Sequence, residues 1–159
     1  MRPVPRLATL FAALALNATL GAGFAAAGQA PAADAGQVKT AKGTAHVERD
    51  GQRIAVTPGM RVRQSDTIVT GADGAVGITM TDNSLLSAGP NTVLAIEKYA
   101  FDSTTHAGGF DASVKKGTLA VISGKLVKQS PESMRIRTPS SIMGVRGTEF
   151  AVHVAERVE

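Results

Sequence analysis

The sequence predicts an all-β fold, a single domain of about ten short strands behind an N-terminal export signal. Three observations carry that prediction. Turn-forming residues punctuate the chain at Gly43, Asp50-Gly51, Pro58-Gly59, Asp73-Gly74, Asp82-Asn83 and Gly89-Pro90-Asn91, roughly every 7 to 12 residues. Between these points apolar residues alternate with polar or small ones, as in Val76, Ile78 and Met80, in Met134 and Ile136, and in Phe150, Val152 and Val154. Period two places one set toward a core and the other toward water. The third observation is composition: 17 glycines in 159 residues, no tryptophan, and β-branched runs such as Thr67-Ile68-Val69-Thr70. Gly108-Gly109, Gly117, Gly124, Pro131 and Pro139 read as later punctuation, leaving no room for a helix of ordinary length.

Taken in order, the chain opens with Met1-Arg-Pro-Val-Pro-Arg6, a short basic region, and residues 7–24 follow without a charge. Ala25-Ala26-Ala27 then supplies the small residues of a cleavage site, so residues 1–27 read as a signal peptide and place the mature protein in the periplasm or outside the cell. The rival is a retained anchor, which a run of this length just permits; Asn17, two threonines and the many alanines dilute it. No later segment is apolar enough for a membrane span. Residues 28–37 are small and polar, read as a flexible lead-in, and the domain is expected over 38–159. Asp50-Gly51, flanked by Ala45/Val47 and Ile54/Val56, predicts a type I′ hairpin. Residues 102–109 predict an exposed loop that divides the domain into two halves, each too small to bury a core alone.

Composition also excludes function classes. With no cysteine there is no thiol nucleophile, no Cys-based zinc site and no disulfide. The net charge is +4, but without Arg2 and Arg6 the mature chain keeps 15 basic residues against 13 acidic ones, a balance of +2. That is too weak a bias for nucleic acid. His46, His106 and His153 share no ligand spacing, so no metal is expected. The stretch Gly71-Ala-Asp-Gly-Ala-Val-Gly77 lacks the Lys-Ser/Thr of a phosphate loop. No cofactor is expected.

Three blocks carry a resemblance. They are Gly59-Met-Arg-Val-Arg-Gln-Ser-Asp66-Thr-Ile-Val-Thr70-Gly71, then Gly74-Ala-Val-Gly-Ile-Thr-Met-Thr-Asp82-Asn-Ser84-Leu-Leu-Ser-Ala-Gly-Pro90-Asn91, then Ile136-Arg-Thr138-Pro139-Ser-Ser-Ile-Met-Gly144-Val-Arg146-Gly147-Thr148-Glu-Phe150. In this order they resemble the ferric-citrate-regulator, or FecR, domain, over roughly residues 43–154. Ser65 and Asn83 stand where the family pattern has glycine. The resemblance implies a rolled or β-solenoid-like architecture, a place in the cell envelope and a non-catalytic protein-interaction or signal-sensing role. The founding members are anti-sigma regulators with a membrane helix and a further signalling subdomain. The expected partner is an envelope protein; an anionic glycan, and with it a structural envelope role, is the alternative.

The candidate partner contact is Arg146-Gly147-Thr148. A guanidinium there suits a carboxylate or phosphate; equally, the glycines can make a tight turn while Arg146 ties down carbonyls or a carboxylate such as Asp82. Asp66 and Asp82 stand beside Thr and Ser in turns with no nucleophile or His partner, so Asx-turn hydrogen bonding is expected rather than acid–base chemistry, and no catalytic residue is assigned. Lys115, Lys116, Lys125, Lys128, Arg135 and Arg137, interleaved with Asp111 and Glu132, read as a solvated basic face or a contact for anionic polymers.

Overall fold

The computed structural model describes residues 33–155; the signal expected at 1–27 lies outside the described residues. Twelve strands follow one another: β1 (Asp34–Lys42), β2 (Ala45–Arg49), β3 (Gln52–Ala55), β4 (Arg61–Arg63), β5 (Thr67–Thr70), β6 (Ala75–Met80), β7 (Leu85–Ala88), β8 (Val93–Phe101), β9 (Gly108–Ile122), β10 (Met134–Arg137), β11 (Ile142–Gly144) and β12 (Glu149–Val154). Between β9 and β10 lie a five-residue helix α1 (Lys125–Gln129) and a 3₁₀ turn (Pro131–Ser133). The all-β expectation holds, with twelve strands in place of about ten. The predicted alternation holds too: Val76, Ile78 and Met80 are buried between half-exposed neighbours, and Met134 and Ile136 between exposed arginines.

The strands make one curled sheet with two wings. The first wing runs β4-β1-β6-β7-β9-β12, all antiparallel. The second runs β3-β2-β5-β8-β9-β10-β11, antiparallel except for the parallel β9–β10 pair. Strand β9 belongs to both: residues 108–116 pair with β8, and residues 117–122 pair with β12. Val38, Ile78 and Leu86 from the first wing join Ile68, Leu94, Ile96 and Phe110 from the second in one apolar cluster. The Asp50-Gly51 hairpin joins β2 to β3 with both φ angles positive, 51° and 76°, as a type I′ turn requires.

Two expectations need correction. Gly108, Gly109 and Gly117 do not break the chain into short strands; the 15-residue β9 runs through them, and the loop between β8 and β9 is only residues 102–107. Gly117 is instead where β9 leaves one wing for the other. Its φ is +93°, and a Cβ there would lie 2.4 Å from both Thr92 Cα and Thr92 Oγ1. The second correction concerns residues 28–37. The strand β1 begins at Asp34, inside the expected lead-in, with Ala35 fully buried and its carbonyl accepting from Thr81 N at 2.9 Å. Of the described residues there, Ala35 and Gly36 are small because they pack closely: a Cβ on Gly36 would lie 2.7 Å from Thr79 O.

Substitution of Gly117 by Ala should therefore combine backbone strain with overlap and cost about 3 kcal/mol or more. The same change at Gly51, where nothing lies within 4 Å of the new Cβ, carries strain alone. Urea unfolding of the two variants checks the contrast.

Candidate functional site

The charged residues of the three sequence blocks divide by what they touch. Asp66 is 1% exposed at the end of the turn that leads into β5. Its carboxylate takes a two-pronged contact from Arg49 at the end of β2, with Nε to Oδ1 at 2.8 Å and Nη2 to Oδ2 at 2.7 Å. Arg63 N, three residues earlier in the chain, donates to the same Oδ2 at 2.8 Å, so the carboxylate closes the turn from its far end and the expected Asx turn, whose donor would follow the aspartate, is not formed; Arg49 Nη2 also reaches Arg61 O at 2.8 Å. The hydrogen bond to Asp66 holds the Arg49 guanidinium above its usual range. One ion pair thus ties an edge strand of the first wing, β4, to two strands of the second. Spacing in the sequence gives no hint of Arg49, 17 positions away.

Asp82 is equally buried and meets no cation among the described residues; donors surround it instead. Ser84 N and Oγ donate to its two oxygens at 3.1 and 2.6 Å, which is the Asx turn the sequence predicts. Tyr99 OH donates to Oδ1 at 3.2 Å, and Leu126 N, at the start of α1, lies 3.4 Å from Oδ2. Gly124 N donates to Ser84 Oγ at 2.9 Å and Lys125 N to Asp82 O at 2.8 Å, so this turn also seats the helix. Burial pushes the Tyr99 hydroxyl up to about 12. Ser65 and Asn83, which stand in place of glycine, have φ angles of 72° and 67°. Both are left-handed, a conformation in which glycine is easiest and asparagine is tolerated.

Arg146 is the exception. It is exposed, and its side chain makes no hydrogen bond or ion pair with the described residues, so the tie to Asp82 is not formed. The backbone on either side is pinned. Val145 N donates to Met134 O at 3.1 Å, while Ser123 donates from N to Thr148 O at 2.8 Å and from Oγ to Gly147 O at 2.5 Å. Arg146, Gly147 and Thr148 line a pocket of about 430 Å³ with Ser123, Lys128 and Glu132. A guanidinium on a fixed backbone beside a lysine can take a carboxylate or phosphate with two parallel hydrogen bonds. Gly144 and Gly147 have open space where a Cβ would go; at Gly147 it is the backbone, with φ +156°, that favours glycine.

The remaining candidates stay apart. His46 lies 3.6 Å from Glu48, His106 stacks on Phe101, and His153 Nδ1 pairs with Thr118 Oγ1 at 3.0 Å. Among the described residues no three His, Asp or Glu side chains converge as a metal site. No helix among them is long and apolar enough to cross a membrane. Of the basic face, Arg137 pairs with Glu97 at 3.3 Å, while Lys115 and Lys116 line a different cavity.

Compared with models of known families, residues 66–158 match the family described as FecR protein. No curated protein matches the chain, and no solved structure does.

Removal of the Arg49 side chain by Arg49→Ala strands the buried Asp66 carboxylate and should cost about 3–5 kcal/mol in chemical denaturation. Tyr99 is the chain's single tyrosine and there is no tryptophan, so absorbance at alkaline pH reports one group. Its titration should fall near the shifted value in the folded protein and near 10 in urea. Since the folded state holds this proton more tightly, stability is fully present below about pH 10 and falls as pH rises through the folded value.

Proposed function

This chain belongs to the FecR family, a family of regulatory sensing proteins, and from that premise we propose that it is a non-catalytic, exported interaction module. It senses or relays an envelope signal by binding a protein partner in the periplasm or outside the cell. One observation carries this reading. The buried acidic groups of the family blocks are consumed within the fold, whereas Arg146 stands exposed on a pinned backbone with no partner among the described residues. An arginine held in that way is positioned for an acidic group on another molecule.

Affinity capture from a periplasmic extract, with cross-linking, tests the proposal. The wild-type chain should recover a defined protein. The Arg146→Glu variant should lose it by roughly 10- to 100-fold, the size of a charge-assisted contact, with stability unchanged to within about 0.5 kcal/mol. Equal capture by both proteins would contradict the proposal. Salt-sensitive retention on purified peptidoglycan with no protein captured would instead favour the glycan-binding envelope role.

A further inference from the structure

Of the three large apolar side chains left exposed among the described residues, two are neighbours: Leu85 on β7 and Ile122 on β9, 44% and 41% exposed. They sit directly opposite each other in the antiparallel pair, so both stand on the face turned away from the core, while Leu86 and Val121 point inward. The pairing extends this row in both directions. Thr79 of β6 lies opposite Leu85 and Gln37 of β1 opposite Thr79; on the other side Glu149 of β12 lies opposite Ile122. The row crosses β1, β6, β7, β9 and β12 with β7 at its centre, and spans about 19 Å at roughly 4.8 Å per strand.

Its two ends carry opposite charges. Lys39 Nζ donates to Gln37 Oε1 at 2.9 Å, which holds the ammonium at the β1 end. Glu149 stands exposed at the β12 end. Neither has an ion pair among the described residues. Gly77, Ser87 and Ala120 lie beside the row, and with it they form a groove of about 280 Å³ that Lys39 and Glu149 help to wall. Side chains that small let a second sheet approach to the usual packing distance of about 10 Å.

We infer that this face is where two copies of the chain meet. A two-fold axis along β7 lays Leu85 on the other copy's Leu85, Ile122 on its Thr79, and Glu149 on its Lys39, with each unlike contact made twice. A row that is apolar at its centre, basic at one end and acidic at the other is complementary to its own image under that rotation, which is the condition an isologous interface must meet. An unrelated partner would have to supply the same charges in reverse order at the same spacing; a second copy supplies them by symmetry. A row this short supports a weak, reversible dimer. The inference does not depend on the partner contact proposed for Arg146, which lines a different cavity.

Sedimentation of the full chain over a range of concentrations tests it. The wild type should pass from monomer to dimer as concentration rises, and less readily at high salt. Lys39→Glu and Glu149→Lys each bring like charges together twice per dimer and should weaken association at least about tenfold, as should Leu85→Asp at the axis. All three side chains are exposed, so melting temperatures should stay near that of the wild type. The mixture of the two charge reversals is the sharper sample. One copy is then acidic at both ends and the other basic at both, so the pair should dimerise although neither variant does so alone. A monomer at every concentration would overturn the inference. So would association that the reversals or Leu85→Asp leave unchanged, which would place the contact on another surface, or two reversals whose mixture stays monomeric.

Discussion

Everything in this domain depends on one strand serving both wings of the sheet. The strand β9 pairs with β8 and β10 over its first part and with β7 and β12 over its second. A chain that crosses between wings must turn without losing its hydrogen bonds, and only a residue without a side chain can pass so close to Thr92 in a left-handed conformation. Around that crossing, Thr92 donates to Thr118 O and accepts from Thr118 N through its hydroxyl at 3.1 and 3.0 Å, so the bend is braced from β8's approach. Because the wings share this strand, they can enclose a single apolar cluster with few aromatic residues and no disulfide.

The two buried carboxylates solve a related problem by different physics. Asp66 is held by an ion pair to Arg49 within the second wing, and the pair reaches β4 of the first through Arg61 O and Arg63 N; it holds only while both partners are present. Asp82 is satisfied by neutral donors, Ser84, Tyr99 and the backbone at the start of α1. Each fixes a turn that a regular ladder leaves loose, and each removes an acidic group from the surface. At the surface, Arg146 stands on its pinned backbone beside Lys128.

Much of this was legible in the sequence because it depends on short-range pattern. The alternation of Val76, Ile78 and Met80, the Asp50-Gly51 hairpin and the Asx turn at Asp82 each involve neighbours a few positions apart. What was not legible depends on separation. Gly117 reads like any turn glycine until Thr92 is placed beside it, and Ala35 and Gly36 read like a linker until β6 packs against them. Arg146 was legible as a motif residue, but whether it faces inward or outward was not, since both uses of an arginine share one sequence. A bulge at Lys115, where Val93 pairs with Lys116 and Leu94 with Val114, lay beyond sequence reasoning for the same reason: a bulge is a property of two strands, not of one.

If β9 makes the two wings a single cooperative unit, native-state hydrogen exchange of the full chain is the most direct test. The buried amides of β6 in the first wing and β5 in the second should share one opening free energy, equal to that of global unfolding, and should respond to denaturant with one slope. Two separate classes, with one wing opening while the other stays protected, would contradict it.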